Sequence, residues 1–171
     1  MLGFETAKSF GEKGAKYLRM DNAPFRYMIR KGEADRFISG GYQMSSKKAF
    51  DNQIKAFEKA KVDVHLGDDA GAKHRAVKGF ASVTDPSGNV LEIFYGRAKG
   101  EAFKAGHGIK GFKTGNMGLG HMVLPAPENK KTINFYRKVM GFGVSDDLSL
   151  PAFAPGMPKQ RIYFMLSLIH I

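Results

Sequence analysis

"VTDPSGNVLEIFYG", residues 83–96, reads as the end of one strand, a tight turn and a second strand. Asp85, Pro86, Gly88 and Asn89 supply the turn: proline fixes φ, glycine admits a left-handed backbone, and the Asp and Asn side chains bind nearby N–H groups. In the second strand Val90, Glu92 and Phe94 share one face by simple alternation. Working back from this hairpin, "VKGFASVT" (77–84), "VDVHL" (62–66) and "FISGGYQM" (37–44) are β-branched and aromatic runs bounded by turn residues. Between 44 and 62, Phe50, Ile54, Phe57 and Lys61 recur at i, i+4, i+7 and i+11, with Ser45 or Ser46 as N-cap, which predicts an amphipathic helix. Residues 37–95 therefore run strand, helix, strand, strand, strand. Upstream, "KYLRM" (16–20) and "FRYMIRK" (25–31) flank the turn "DNAP" at 21–24, adding strands before that unit. The class is α+β.

The pattern starts again after residue 117. Residues 118–124, "GLGHMVL", read as a strand. A helix is predicted over 129–140 from Ile133, Tyr136, Val139 and Met140, with Gly141 where a C-cap belongs. Strands follow at 142–147 and 160–165. Residues 97–117, rich in Gly and Lys and without periodicity, form a linker. "VMGFGVS" (139–145) and "MLGFETA" (1–7) echo each other, which would place Met1 at the end of a helix. On that expectation the chain starts inside one unit and stops inside another.

Bulk properties narrow the function. A chain of 171 residues that is 43% hydrophobic and 25% charged is an ordinary globular protein. No apolar run reaches the ~18 residues of a membrane helix, and the N-terminus has no signal-peptide pattern, so a cytoplasmic protein is expected. With no cysteine, disulfides and thiolate chemistry are excluded, and any metal must be held by His, Asp, Glu or backbone oxygen. The net charge of +11 raises the question of nucleic acid. The basic residues, however, are scattered as pairs and singletons, and Lys47, Lys48, Lys55, Lys59 and Lys61 mostly lie on the outer side of one predicted helix, so no nucleic-acid partner is expected.

Three stretches carry a resemblance to a known family. "VTDPSGNVLEIFYG" (83–96), "GFKTGNMGLGHMVL" (111–124) and "FYRKVMGFGVSDDL" (135–148) resemble the type I extradiol ring-cleavage dioxygenases of the vicinal oxygen chelate superfamily. The Asp-Pro-x-Gly hairpin is common across that superfamily, whereas the "TG" and "GLGH" pair at this distance is far more particular to the dioxygenases. The resemblance implies a vicinal oxygen chelate fold in which βαβββ modules form open half-barrels of the glyoxalase type. It implies an N-terminal domain at 1–96, whose first module lacks its opening strand and helix and whose second, 37–95, is complete. The linker at 97–117 would lead into the start of a catalytic domain at 118–165. The last six residues, 166–171 ("LSLIHI"), do not fit the pattern and read as a non-native tail.

The chemistry the resemblance implies is cleavage of a small aromatic diol by O2 at Fe(II). The iron must bind both catechol oxygens and keep a position for dioxygen, a geometry supplied by two histidines and one carboxylate on one face of the ion. In the family the first of these histidines lies in the "GLGH" strand, here His121, with Leu119 and Val123 on the same face. Val123 matches a pocket-lining residue and Phe164 an aromatic near the bound ring. From the residues alone, a single imidazole in an apolar strand is more often a hydrogen-bonded core residue than a ligand. The second histidine, the glutamate and the acid–base histidine have no match within 1–171, and His170 inherits no role. These residues alone are therefore expected to be inactive and to bind no iron.

Glu92 is a rival ligand, because the equivalent glutamate of glyoxalase-like modules binds metal, but "FISGGYQM" offers it neither His nor acid as a partner. His65, His74 and His107, at a strand end, a loop and the linker, read as solvated or locally hydrogen-bonded. "GFKTGNMGLG" lacks the GK[ST] ending and the following helix of a phosphate loop. A metal-free small-molecule-binding protein and a glyoxalase-like metal enzyme stay open as alternatives on the same fold. A homo-oligomer is expected, because incomplete modules leave apolar faces open.

Overall fold

The computed structural model describes residues 3–106, 108–152, 154–157 and 159–167. Its first sheet is a meander of β1 (Glu5–Thr6), β2 (Lys16–Arg19) and β3 (Tyr27–Ile29), antiparallel throughout. The second holds β4 (Gly40–Gln43), β5 (His65–Leu66), β6 (Gly79–Thr84) and β7 (Val90–Tyr95) in the order β4-β7-β6-β5. β4 and β7 are parallel, so the chain must cross over between them, and α1 (Lys47–Lys59) lies on that crossover. This is the strand, helix, strand, strand, strand order read from 37 to 95, with one short helix added between β5 and β6.

Local chemistry sets these elements. Ser46, one of the two expected caps, accepts a hydrogen bond from the Ala49 N–H at 3.1 Å. Phe50 and Phe57 are buried on the inner face of α1. Lys61 does not extend that helix: α1 ends at Lys59, and Lys61 turns the chain with φ +57°. A short helix that periodicity missed, α2 (Asp69–His74), is capped by Asp68 through the Gly71 N–H at 2.7 Å, so His74 ends a helix instead of sitting in a loop.

The hairpin at 85–89 is organised by Asp85, which is 3% exposed. Its Oδ1 accepts from the N–H groups of Ser87 and Asn89, and its Oδ2 from the Asn89 amide at 2.9 Å and the Tyr136 hydroxyl at 3.3 Å. Tyr136 lies on α3 (Asn129–Lys138), so the turn also binds a helix far along the sequence. Thr132 and Ser87 hydroxyls meet at 2.6 Å, and Gln53 of α1 donates to the Val139 carbonyl at 2.9 Å. Phe135, Tyr136 and Met140 join Met44, Phe50, Phe57, Val83, Leu91 and Ile93 in one buried cluster. One core thus serves the second sheet and both long helices.

Segment 97–117 is irregular except for a 3-10 turn at Gly115–Met117, but it is strapped to the first sheet. Phe112 stacks on Phe4 at 5.4 Å, the Phe103 N–H donates to Asn22 Oδ1 at 2.7 Å, and Arg19 donates to the Glu101 carbonyl. The last two strands, β8 (Phe142–Leu150) and β9 (Gln160–Ser167), pair antiparallel as a separate ribbon. β9 runs two residues past the expected boundary at 165, with Leu166 opposite Gly143 and Ser167 opposite Phe142.

Candidate metal centre

Residues 118–124 are not a strand. They form an irregular stretch between the 3-10 turn and α3, with no ladder partner among the described residues. The sequence alternates as a strand would, but a strand exists only where a neighbour takes up its backbone hydrogen bonds. The alternation survives only in part, since Met122 is itself 36% exposed. Leu124 packs against the buried cluster, and Met122 presses on β4, where a Cβ at Gly40 would lie 2.5 Å from the Met122 methyl. Leu119, His121 and Val123 are exposed, Val123 to 79%.

Phe164 lies on β9 opposite Asp146 and is 45% exposed. Neither of the two cavities described below is lined by His121, Val123 or Phe164. No group of three His, Cys, Asp or Glu side chains among the described residues is placed to hold a metal ion. The donors among the described residues therefore do not fit an iron(II) centre: His121 is one exposed imidazole, and affinity at such sites comes from several ligands in one geometry.

Glu92 is committed elsewhere. Its two carboxylate oxygens take a bidentate pair of hydrogen bonds from Arg75, Nε to Oε2 at 2.6 Å and Nη2 to Oε1 at 2.7 Å, and Ser39 adds a third at 3.2 Å. Both side chains of the pair are about five-sixths buried, at 17% and 16% exposure. Burial pulls the Arg75 pKa down, but Glu92 outweighs it and the net shift is upward. The guanidinium also covers the Phe80 ring at 3.9 Å. β4 lies alongside as expected, with Gly41 in register with Glu92, so the partner strand offers no ligand. Arg75 is the residue sequence reasoning missed; it sits on no periodic face, and only the fold, which brings the end of α2 within reach of Glu92, reveals it.

The other described histidines have carboxylate neighbours. His65 is exposed beside Asp63 at 3.3 Å, and His74 lies 3.8 Å from Glu12. His107 and His170 lie outside the described residues.

Two cavities open between elements. One, of about 320 Å³, is lined by Asn22, Gln43, Arg97, Lys99 and Asn116 among others. The second, of about 260 Å³, lies among Phe37, Ile38 and the Gly88–Val90 turn.

The same arrangement of elements occurs in solved structures. A halotolerant catechol dioxygenase matches with a TM-score of 0.82 and 30% identity, over 96% of this chain and 53% of that one. A catechol 2,3-dioxygenase matches with a TM-score of 0.83 and 25% identity, over 96% and 54%. The Mn(II)-bound glyoxalase from Novosphingobium aromaticivorans shares the fold alone, at 18% identity and a TM-score of 0.66 over 84% and 46%. The fold is thus of the vicinal oxygen chelate class, mixed α and β with several open sheets.

Sequence relatives narrow the class. The chain is 32% identical to the biphenyl-2,3-diol 1,2-dioxygenase of Paraburkholderia xenovorans, over 86% of this chain and 58% of that protein. It is 34% identical to the iron-dependent extradiol dioxygenase of Rhodococcus jostii, over 92% and 52%. These relatives and structural neighbours are extradiol dioxygenases, and the chain is homologous to them. It spans about half the length of the curated relatives it matches. No protein-family model matches the sequence.

Proposed function

We propose that this chain forms part of an Fe(II)-dependent extradiol dioxygenase that opens a catechol-type ring with O2, and that residues 1–171 alone do not catalyse the reaction. The observation that carries the first half is the similarity, at 32–34% identity over most of this chain, to proteins named as dioxygenases of aromatic diols. The second half rests on coordination chemistry: the reaction needs three protein ligands on one face of the ion, and His121 is the single residue here at a matching position. His121 would supply one of those ligands, with Val123 and Phe164 as apolar wall for the ring. Its support is that His121 and Val123 are exposed, while Met122 and Leu124 between and beyond them touch β4 and the buried cluster. The cysteine-free sequence, which needs no oxidising compartment, supports a cytoplasmic setting.

The test has two arms. Purified 171-residue chain, given ferrous iron anaerobically and then 2,3-dihydroxybiphenyl and air, should form no yellow ring-fission product above the rate of free iron. In the longer protein, His121→Ala should lower iron content at least ~100-fold in affinity, read by metal analysis. Retained iron in that variant would return His121 to the role of an ordinary surface residue, and turnover by the short chain would refute the proposed ligand set.

A further inference from the structure

The cavity between the first sheet, the end of β7 and the segment beyond it has lining that the dioxygenase reading does not use. Arg97 follows β7 and is partly buried, yet among the described residues its guanidinium has neither a hydrogen bond nor an ion pair. Burial and the neighbouring Arg26 both push its pKa down, with Asp21 acting weakly the other way. Asp21 is paired elsewhere: its Oδ2 accepts from both the Nε and an Nη of Arg26, at 2.9 and 2.6 Å, and its Oδ1 accepts from the Ala23 N–H.

The amides around it are oriented by their own bonds. Asn22 Oδ1 accepts from the Phe103 N–H at 2.7 Å, and Asn116 Oδ1 accepts from the Asn22 N–H at 3.4 Å. Each carbonyl oxygen thus holds one donor already, while the NH2 groups of both side chains carry two N–H donors apiece. Lys99 lines the same cavity, and no Asp or Glu is among its lining residues. Its volume of about 320 Å³ lies at the small end of the ~300–1,000 Å³ typical of ligand sites.

From this wall of donors we infer a binding site for a small oxyanion, a carboxylate or a phosphate, seated on Arg97 with Lys99, Asn22 and Asn116 around it. A planar guanidinium binds either oxyanion in bidentate fashion, and an anion there would relieve the repulsion between Arg97 and Arg26. The site is independent of iron and of His121.

Ligand-observed NMR tests it on the 171-residue chain, since line broadening of a small molecule does not require a monodisperse protein. Inorganic phosphate is followed by its ³¹P line and succinate by its ¹H line, at constant ionic strength set with chloride. At least one should broaden with the wild-type chain, and which one does identifies the oxyanion. Arg97→Gln should weaken the effect at least tenfold. Asn22→Asp, which keeps an acceptor for the Phe103 N–H but puts a carboxylate into the cavity, should weaken it as well, and Lys110→Gln, outside the lining, should leave it unchanged. Circular dichroism of each variant establishes that the fold persists; should Arg97→Gln lose it, Asn22→Asp decides. No broadening by either anion, or equal broadening by wild type and both cavity variants, would overturn the inference.

Discussion

Glu92 shows how one residue's neighbours decide its chemistry. Alternation along β7 marks it as a candidate ligand, but Arg75 neutralises it in a mostly buried, bidentate pair. Removing one member of such a pair strands the other charge. Arg75→Met should therefore destabilise the chain by about 3 kcal/mol, and a second change, Glu92→Leu, should recover most of the loss. Urea unfolding of the two variants checks this; equal instability of single and double variants would mean that Arg75 acts through Phe80 packing instead. Tyr42 offers a second test. Burial, partly offset by its hydrogen bond with Tyr136, pushes its hydroxyl up to about 12, and Tyr136 is raised further by burial, by Tyr42 and by Asp85. An unfolded tyrosine ionises near 10, so between pH 10 and 12 the unfolded state sheds a proton that the folded state keeps. Stability from Tyr42 is thus fully present below pH 10 and declines above it, by roughly 2–3 kcal/mol at most. Tyr42→Phe should make the fall in urea midpoint between pH 9 and 11.5 shallower, and an unchanged slope would place the alkaline loss elsewhere.

At the level of elements, α3 is the informative one. Its periodicity was legible, but the sequence places it after a linker, at the head of a new unit, whereas its buried face is in the core of the second sheet. Phe135 is 6% exposed and stacks on Phe57 of α1 at 6.1 Å with the rings 8° from parallel. Phe135→Ala should cost about 3–5 kcal/mol, as truncation of a buried aromatic does. Because α3 and the sheet share that core, the loss should appear in a single urea transition monitored by far-ultraviolet circular dichroism. Two separated transitions, with only the later one unaffected by the mutation, would show instead that α3 folds apart from the sheet.

At the scale of the whole molecule, the β8–β9 ribbon exposes Val144, Leu148, Phe164 and Leu166, each to 41% or more. Among the described residues neither outer edge of the ribbon is paired. Apolar side chains beside open strand edges favour association, against which the net charge of +11 is only a partial defence. Sedimentation velocity should show concentration-dependent association of the 171-residue chain at moderate salt. Val144→Lys combined with Leu166→Lys should reduce it. A monomer at all concentrations, or an association indifferent to these changes, would rule the ribbon out as the cause.

What the sequence alone determined is everything that depends on near neighbours in the chain. Turn chemistry at 85–89, the Ser46 cap, the face of α1 and the order of elements from 37 to 95 all follow from residues a few positions apart. The motif around His121 belongs to the same class of information, since it was recognised by spacing and composition. Tertiary structure decided the rest, because the deciding partners are distant in sequence. Residues 118–124 alternate like a strand but have no ladder, Glu92 meets Arg75 across 17 positions, and Asp85 is bound by Tyr136 across 51. The guanidinium of Arg97, unpaired among the described residues, is of this kind too: only the folded chain shows that Asp21, whose charge it feels, is already held by Arg26. A hydrogen bond or an ion pair needs two groups at one place, and for distant residues that place is set by packing.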